Sequence, residues 1–413
     1  MLKALKGTKD ILPEEVGVWQ ELEASARDIF AIYGYKEIRT PIIEEASLFI
    51  RSIGDATDIV QKEMYVFTDG GGRTIALRPE ATASVVRAYI ENSIGEKTGL
   101  SKLFYIGPMF RSERPQKGRQ RQFYQLGVEA IGSDDPFLDL EVILLAADFL
   151  KRVGIEDFIL KINSLGCEKD KARIIEGYRK DILPHLSLLC KECNTRYNKN
   201  VLRILDCKDP KCREIVKSIG FKNSLCKECL SHFESIKAGL ERSGISYIID
   251  SKIVRGLDYY TKTVFEITQK DLGAKDAICA GGRYNNLVKN MGGKDSPAIG
   301  FAFGIERLIL AKKGLLTDIS QKKVFVATRT DVSRESAFRL MKELRDKGVA
   351  ADMDYECRSL KAQMKKAKKL CSSFVVIFEE EGLGKGMVIL RDMNKAEQKE
   401  VYLKDIIDIV IGL

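Results

Sequence analysis

The sequence predicts an α+β domain, an antiparallel sheet flanked by helices, which carries a helical insertion and is followed by a separate α/β domain. Three observations carry this. The stretches Leu103–Arg111 and Gln122–Ile131 are rich in Phe, Tyr, Ile and Val and enclose a Gly/Pro-containing loop, the pattern of a long antiparallel hairpin. The stretch from about Glu168 to Ser243 is charged, helix-like and cysteine-rich, unlike the strand patterns on either side. From Lys323 onward, strand and helix patterns alternate over about ninety residues.

Each element follows from local chemistry. After Pro13, the apolar residues Val16, Trp19, Leu22, Ala26, Ile29 and Phe30 keep the spacing of an amphipathic helix, which Gly34 can end. A strand then runs toward Pro41. Asp139 to Val153 is a helix stopped by Gly154, and strand patterns resume at Ile245 after the insertion. Glycines and strand formers dominate Val254 to Gly304, and a helix follows over Ile305 to Ala311. Thr317 to Lys323 is polar and has the character of a linker. Beyond it come the strand KKVFVAT, helices around Ser336–Lys347 and Leu360–Leu370, and the strand SFVVIF. These patterns divide the chain into a domain over 1–320, with its insertion at about 168–245, and a second domain over 323–413. No internal repeat or low-complexity tract is apparent.

A chain of 413 residues exceeds what one core usually supports, and 45% hydrophobic with 31% charged residues excludes a largely disordered or fibrous protein. Nowhere do eighteen uncharged apolar residues follow one another, so no membrane partner is expected. The start, MLKALKGTKDILPEE, lacks the apolar run of a secretion signal, which makes the cytoplasm the expected compartment. The net charge of +9 favours anionic partners. In such a chain ten cysteines point to reduced thiols or a metal site before disulfides. Cys190-x-x-Cys193 and Cys226-x-x-Cys229 have the paired spacing of a four-thiolate zinc site, with Cys207 and Cys212 between them and Cys167 upstream. His185 and His232, the only histidines, fall in the same region and are expected at the surface, which makes a catalytic histidine improbable.

No GxxxxGK-Ser/Thr loop and no strand–GxGxxG–helix unit is present. A nucleotide would therefore be held by arginines, whose planar forks grip two phosphate oxygens at once. The hairpin, FYIGPMFRSERPQKGRQRQFYQLGVEAIG, supplies Arg111, Arg114, Lys117, Arg119 and Arg121 beside Glu113 and Glu129. By strand parity Phe123, Gln125 and Glu129 share one face, and Arg111 ends the first strand near it.

The spacing F-R-x-E-R, a basic loop, then R-Q-F-x-Q resembles the second signature of class II aminoacyl-tRNA synthetases. GFAFGIERLIL, with Gly300, Gly304, Glu306 and Arg307, resembles the third, and YGYKEIRTPIIEE with Pro41 the first, which in that class belongs to a dimer interface. VRGLDYYTKTVFE at 254–266, CAGGRYNNLV at 279–288, LRPEAT at 77–82 and KGTKDILP at 6–13 are similar to histidyl-tRNA synthetases of the bacterial type. The resemblance extends over the whole chain.

That resemblance implies the class II synthetase fold for the first domain and an anticodon-binding role for the second. It implies a ligase that activates L-histidine with ATP and Mg2+ and transfers it to tRNA(His), working as a homodimer. Arg255 and Arg111 would be the catalytic groups, stabilising charge on the α-phosphate. ATP would be held by Arg111, Glu113, Phe123 and Arg307. Histidine would be held by Glu80, Ala81, Thr82, Gln125, Glu129, Arg255, Tyr259 and Tyr260, with Glu80, Thr82 and Gln125 on its ammonium and Glu129 and Tyr260 on its imidazole. Gln116 and Arg121 at the hairpin tip would reach the acceptor end of the tRNA. In the second domain, Lys361, Lys365 and Lys368, widened by Lys366 and Lys369, would meet RNA phosphates. The family does not generally require zinc, so a structural zinc is compatible with the cysteine spacing but is not assigned.

The sequence departs from the commonest family pattern at Ala81, where glycine is usual, at Ser112, where histidine is frequent, and at Asn285-Asn286, where Asp-Gly is frequent. None removes a charge given a chemical role, and Asn285 is expected to touch a supporting hydrogen bond near Arg283. The rival from another functional class is the histidine-sensing regulatory subunit of ATP phosphoribosyltransferase, which keeps the fold without the catalysis. It usually lacks the terminal domain, so that domain and the retained Arg111, Arg255 and Arg307 argue against it. A synthetase for proline or threonine is disfavoured by RGLDYY.

Overall fold

A computed structural model of the chain describes residues 2–55, 57–116, 118–207, 209–219, 224–253, 257–272, 277–312, 323–356 and 358–412. The chain divides into two compact units, Met1–Gly314 and Leu315–Leu413.

The first unit is organised by an eight-stranded sheet. In spatial order its strands are Lys36–Glu37, Ser101–Phe110, Gln122–Ile131, Ala298–Gly304, Ala277–Arg283, Thr261–Thr268, Ile159–Ser164 and Tyr247–Ile249. All neighbours are antiparallel except the two edge strands, which run parallel to theirs. The strand expected to run toward Pro41 is only two residues long. The chain then enters a small three-stranded sheet, Ile43–Glu45, Thr74–Leu77 and Tyr65–Thr68.

Helices Pro13–Ile32 and Pro136–Arg152 cover one face of the large sheet. Asp135 caps the second by accepting from the Phe137 amide at 2.8 Å, with Pro136 opening the helix. The core between helices and sheet is aromatic. Phe30 lies 5.4 Å from Phe104 and 5.9 Å from Phe149, and Phe149 lies 5.1 Å from Phe303, between ring centroids. With one face so covered, the other is left to build a site.

The insertion begins with helix Glu168–Ile182 and continues in short pieces to helix Pro210–Ile219, around its own core of Ile174, Tyr178, Ile182, Leu202, Ile204 and Val216. Helix Lys227–Arg242 instead sends Phe233, Ile236 and Leu240 into the main core.

The second unit holds a five-stranded mixed sheet ordered Ala350–Met353, Lys323–Thr328, Phe374–Phe378, Met387–Asp392 and Gln398–Tyr402. The first three strands are parallel and the last two antiparallel. Helices Asp331–Asp346 and Leu360–Lys369 supply the crossovers between the parallel strands, and the sequence reading placed both. Of the expected linker, residues 317–322 lie outside the described residues. Among the described residues no helix is long and apolar enough to cross a membrane.

Candidate active site

The site is a product of strand parity. Leu126, Val128 and Ala130 enter the core, so Phe123, Gln125, Gly127 and Glu129 face the opposite side of the sheet. The next strand sets Gly304 opposite Gln125, Ala302 opposite Gly127 and Gly300 opposite Glu129. Residues directly opposite in an antiparallel ladder share a face, so small residues lie beside long polar ones. They open a cleft of about 330 Å³. A Cβ at Gly300 would overlap Glu129 Oε2, and one at Gly127 would stand 2.5 Å from the Tyr105 hydroxyl.

Glu129 lies on the floor, with 1% of its surface exposed. Thr82 Oγ1 donates to its Oε1 at 2.7 Å and the Tyr284 hydroxyl donates to its Oε2. Burial pushes the Glu129 carboxyl up to about 8, although both hydrogen bonds pull it down. Glu80 accepts from the amides of Thr82 at 2.7 Å and Ala83 at 2.9 Å, pairing two of the orphan donors that open helix Thr82–Glu91. Burial raises its carboxyl as well. Gln125 Oε1 is buried and has no hydrogen-bond partner among the described residues. Tyr259 stacks 4.7 Å from Tyr260 and meets Tyr284 edge-on at 5.6 Å, closing the wall.

At the other end stand guanidinium groups. Arg111 donates from Nε to the Pro79 carbonyl at 2.9 Å and lies 5.2 Å from the centre of the Phe123 ring. Arg307 is held by the carbonyls of Ala277 and Gly118. Arg119 pairs with Glu113 at 3.0 Å. Next to Arg307, Glu306 accepts from the Tyr124 amide at 3.0 Å, and burial pushes its carboxyl up to about 7.

Of the residues named from sequence, Glu80, Thr82, Arg111, Glu113, Phe123, Gln125, Glu129, Tyr259, Tyr260 and Arg307 line this one cleft. Ala81 is buried beside it, at the N-cap of helix Thr82–Glu91. Gln116 is exposed at the hairpin tip, bridged to Arg119. Arg121 stands beside it, its amide donating to the Gly7 carbonyl at 2.6 Å and its Nε to the Glu113 carbonyl at 3.4 Å. Arg255 and Lys117 lie outside the described residues.

Sequence reasoning missed Tyr105, Tyr284, Gln120 and Glu266, all of which line the cleft, where Arg119, one of the hairpin arginines named from sequence, joins them. Tyr105 stands opposite Gly127 in the ladder, so parity alone would have found it. Tyr284 carries the Ala277–Arg283 strand one residue further, its amide donating to the Ala298 carbonyl at 2.8 Å, and shares the cleft face with Gly282.

Three expectations are corrected. His232 is buried, not at the surface, and its Nε2 lies 2.9 Å from Asp139 Oδ2. Asp139 has to be satisfied inside the core: it also takes Nε and Nη2 of the buried Arg283 at 2.7 and 2.6 Å. Arg283 Nη1 in turn donates to Asn285 Oδ1 at 3.2 Å, the expected contact. The two CxxC pairs do not converge on one site. Cys190 and Cys193 gather with Cys207 and Cys212, whereas Cys226 and Cys229 gather with Cys167 and Asp170, because each pair opens a different helix. In the second unit, Lys361, Lys365, Lys368 and Lys369 are exposed, but Lys366 turns inward, donating to the Met353 carbonyl at 3.3 Å.

A mostly antiparallel sheet whose open face carries arginines and carboxylates, joined to a second α/β unit, defines a class II aminoacyl-tRNA synthetase. The family model described as histidyl-tRNA synthetase matches residues 7–308, and the anticodon binding domain model matches residues 323–413. The chain belongs to the histidyl-tRNA synthetase family. It is 50% identical over 406 residues to a histidine–tRNA ligase of Desulforamulus reducens, covering 97% of each chain. It is 49% identical to that of Halothermothrix orenii, covering 98% of each. The crystal structure of apo Staphylococcus aureus histidyl-tRNA synthetase superposes with a TM-score of 0.83 at 35% identity, covering 99% of this chain and 100% of that one.

Proposed function

We propose that this chain is a histidine–tRNA ligase that forms histidyl-adenylate and pyrophosphate from L-histidine and ATP and passes the histidine to the 3′ end of tRNA(His). The single observation that carries this reading is the Glu129 carboxylate, buried between Thr82 and Tyr284 at the closed end of a cleft whose other end holds Arg111 and Arg307. An imidazole offers an N–H donor and a ring acceptor, and a pocket of carboxylate and phenol groups matches both. The unpaired Gln125 oxygen and the Glu80 carboxylate suit an ammonium.

The histidine carboxylate attacks the α-phosphorus; a new P–O bond forms, the bond to the β-phosphate oxygen breaks, and pyrophosphate leaves. No enzyme nucleophile is required, so the protein contributes position and charge. Arg111, with Arg255 assigned by resemblance, stabilises charge on the α-phosphate. Arg307 holds the γ-phosphate, and Phe123 packs on the adenine-bearing end. Glu113 binds ATP or orients the arginines. Glu113 and Glu266 line the cleft, and such oxygen donors suit a hard cation, so they would hold Mg2+. Bound there, the ion neutralises triphosphate charge. The second unit, with its exposed lysines, binds the anticodon arm, and Gln116 and Arg121 meet the acceptor end.

The enzyme works in the cytoplasm as a homodimer. Ile42 beside Pro41, with Ile43 and Phe67 on one face of the same small sheet, are large apolar residues left 40–49% exposed, which supports a partner on that face. Sedimentation should give twice the 46.4 kDa of the chain. The activity is tested by pyrophosphate exchange into ATP with each of the amino acids in turn. Exchange is expected with histidine alone; exchange with proline or threonine instead, or with none, would overturn the assignment.

A further inference from the structure

The insertion carries two side-chain clusters that the catalytic reading does not use. The Sγ atoms of Cys190, Cys193, Cys207 and Cys212 all lie within 4.8 Å of one another, and so do the ligand atoms of Cys167, Asp170, Cys226 and Cys229. In each cluster a CxxC pair opens a helix, and the pattern Leu-Cys-Lys-Glu-Cys occurs twice, at 189–193 and 225–229.

We propose that the insertion binds two zinc ions, one held by the thiolates of Cys190, Cys193, Cys207 and Cys212, the other by those of Cys167, Cys226 and Cys229 with the Asp170 carboxylate. The spacing is that of coordination. Four sulfurs at about 2.3 Å from a tetrahedral zinc stand about 3.8 Å from one another. Cys190 Sγ and Cys207 Sγ are 3.9 Å apart, far beyond the length of about 2.05 Å of a disulfide.

The surroundings are those of metal ligands. Backbone amides point at the sulfurs: Cys193 donates to Cys190 Sγ at 3.4 Å, Cys190 to Cys212 Sγ at 3.2 Å, Cys229 to Cys226 Sγ at 3.5 Å and Cys167 to Cys229 Sγ at 3.2 Å. Asp170 is fully buried, accepts from the Cys226 amide at 3.1 Å and pairs with Arg173. Such donors orient ligands. Each site has four protein ligands and no open position, which makes the ions structural.

The size of the insertion supplies the reason. Residues 168–219 form a piece of roughly fifty residues built from short helices, a size at which one apolar core seldom suffices and metals commonly supplement it. The two sites also brace the substrate wall from two directions. Lys171, next to Asp170, donates to the carbonyls of Asp258 at 2.7 Å and Tyr260 at 3.0 Å. Asn200, at the end of the helix that Cys190 opens, donates to Asp258 Oδ1 at 2.6 Å.

The test is metal analysis of the full chain, purified under reducing conditions from zinc-supplemented cells. Two zinc per chain are expected, and cobalt should replace both with the strong sulfur-to-metal absorption of tetrahedral thiolate sites. Cys207→Ser and Cys229→Ser should each retain one ion, and the double variant none. No zinc and no cobalt uptake, or a mass deficit of disulfides in place of metal, would overturn the proposal. Two ions retained in either single variant would do the same for the site that variant disrupts, as would one ion in the unsubstituted chain for the site whose variant leaves it in place. Should a variant be insoluble, zinc released from the unsubstituted chain by a thiol-blocking mercurial decides the matter: two equivalents support both sites, and fewer overturn at least one.

Discussion

Gly300 stands directly opposite Glu129 in the central ladder, and the space a side chain would fill at Gly300 is taken by the Glu129 carboxylate. A residue without chemistry of its own therefore places the residue proposed to meet the imidazole. Gly300→Ala is expected to displace that carboxylate and crowd the Val128 carbonyl, costing about 1–3 kcal/mol of stability. Urea denaturation together with the KM for histidine checks both effects; unchanged KM would contradict the placement.

Glu129 itself is held at a cost that depends on pH. Its carboxyl titrates near 4.5 when unfolded and at about 8 in the fold, so between those values the folded state holds the extra proton. Stability from this group is therefore full below 4.5 and falls as pH rises toward about 8. Glu80, Tyr105, Tyr260 and Tyr284 surround the group and share its environment. Glu129→Gln should melt higher than the parent at pH 8.5, with the gap shrinking at pH 5, while losing on the order of 10²-fold or more in kcat/KM for histidine. Thermal melts at both pH values and pyrophosphate exchange read the two effects.

Among the described residues Arg111 is held by a backbone carbonyl and an aromatic face and makes no ion pair, although the Glu63 and Glu80 carboxyls feel its charge, so its guanidinium is open to a ligand. Arg111→Ala and Arg255→Ala should each lower the adenylation rate by roughly 10²–10³, the usual consequence of deleting a preorganised charge-stabilising donor. Single-turnover formation of histidyl-adenylate gives the answer, and a near-normal rate removes the residue from that role.

Asp139 and Arg283 form an ion pair with neither side chain exposed; Thr263 and His232 also meet Asp139, and the half-buried Asp134 lies 3.4 Å from Arg283. Asp139→Asn leaves a buried guanidinium short of its counter-charge and should destabilise the fold by about 3–5 kcal/mol. Denaturant titration checks this; a loss under 1 kcal/mol would mean that water or a neighbour takes over the role.

Exposed Lys361, Lys365 and Lys368 should act through phosphates alone. Their joint replacement by alanine should weaken tRNA binding without altering histidine-dependent pyrophosphate exchange, and should reduce the salt dependence of binding by up to about 3 counterions. Filter binding across a salt series separates this from a folding defect.

Several features were legible in the sequence for plain physical reasons. The hairpin, the helix Ile305–Ala311 and the alternating second unit are local patterns, set by periodicity and by glycine and proline. The face shared by Phe123, Gln125 and Glu129 follows from a strand period of two, and ten of the site residues named from sequence line a single cleft. The chain by itself thus determined the elements, their sides and the residue types of the site. Which residues meet across the sheet was decided only by tertiary packing. Tyr284 reaching Glu129, His232 drawn inward to Asp139 and the CxxC pairs parting into two clusters depend on partners between 17 and 155 positions away in the chain. Burial makes those pairings obligatory, because a polar group removed from water must find a partner, and no local pattern names it.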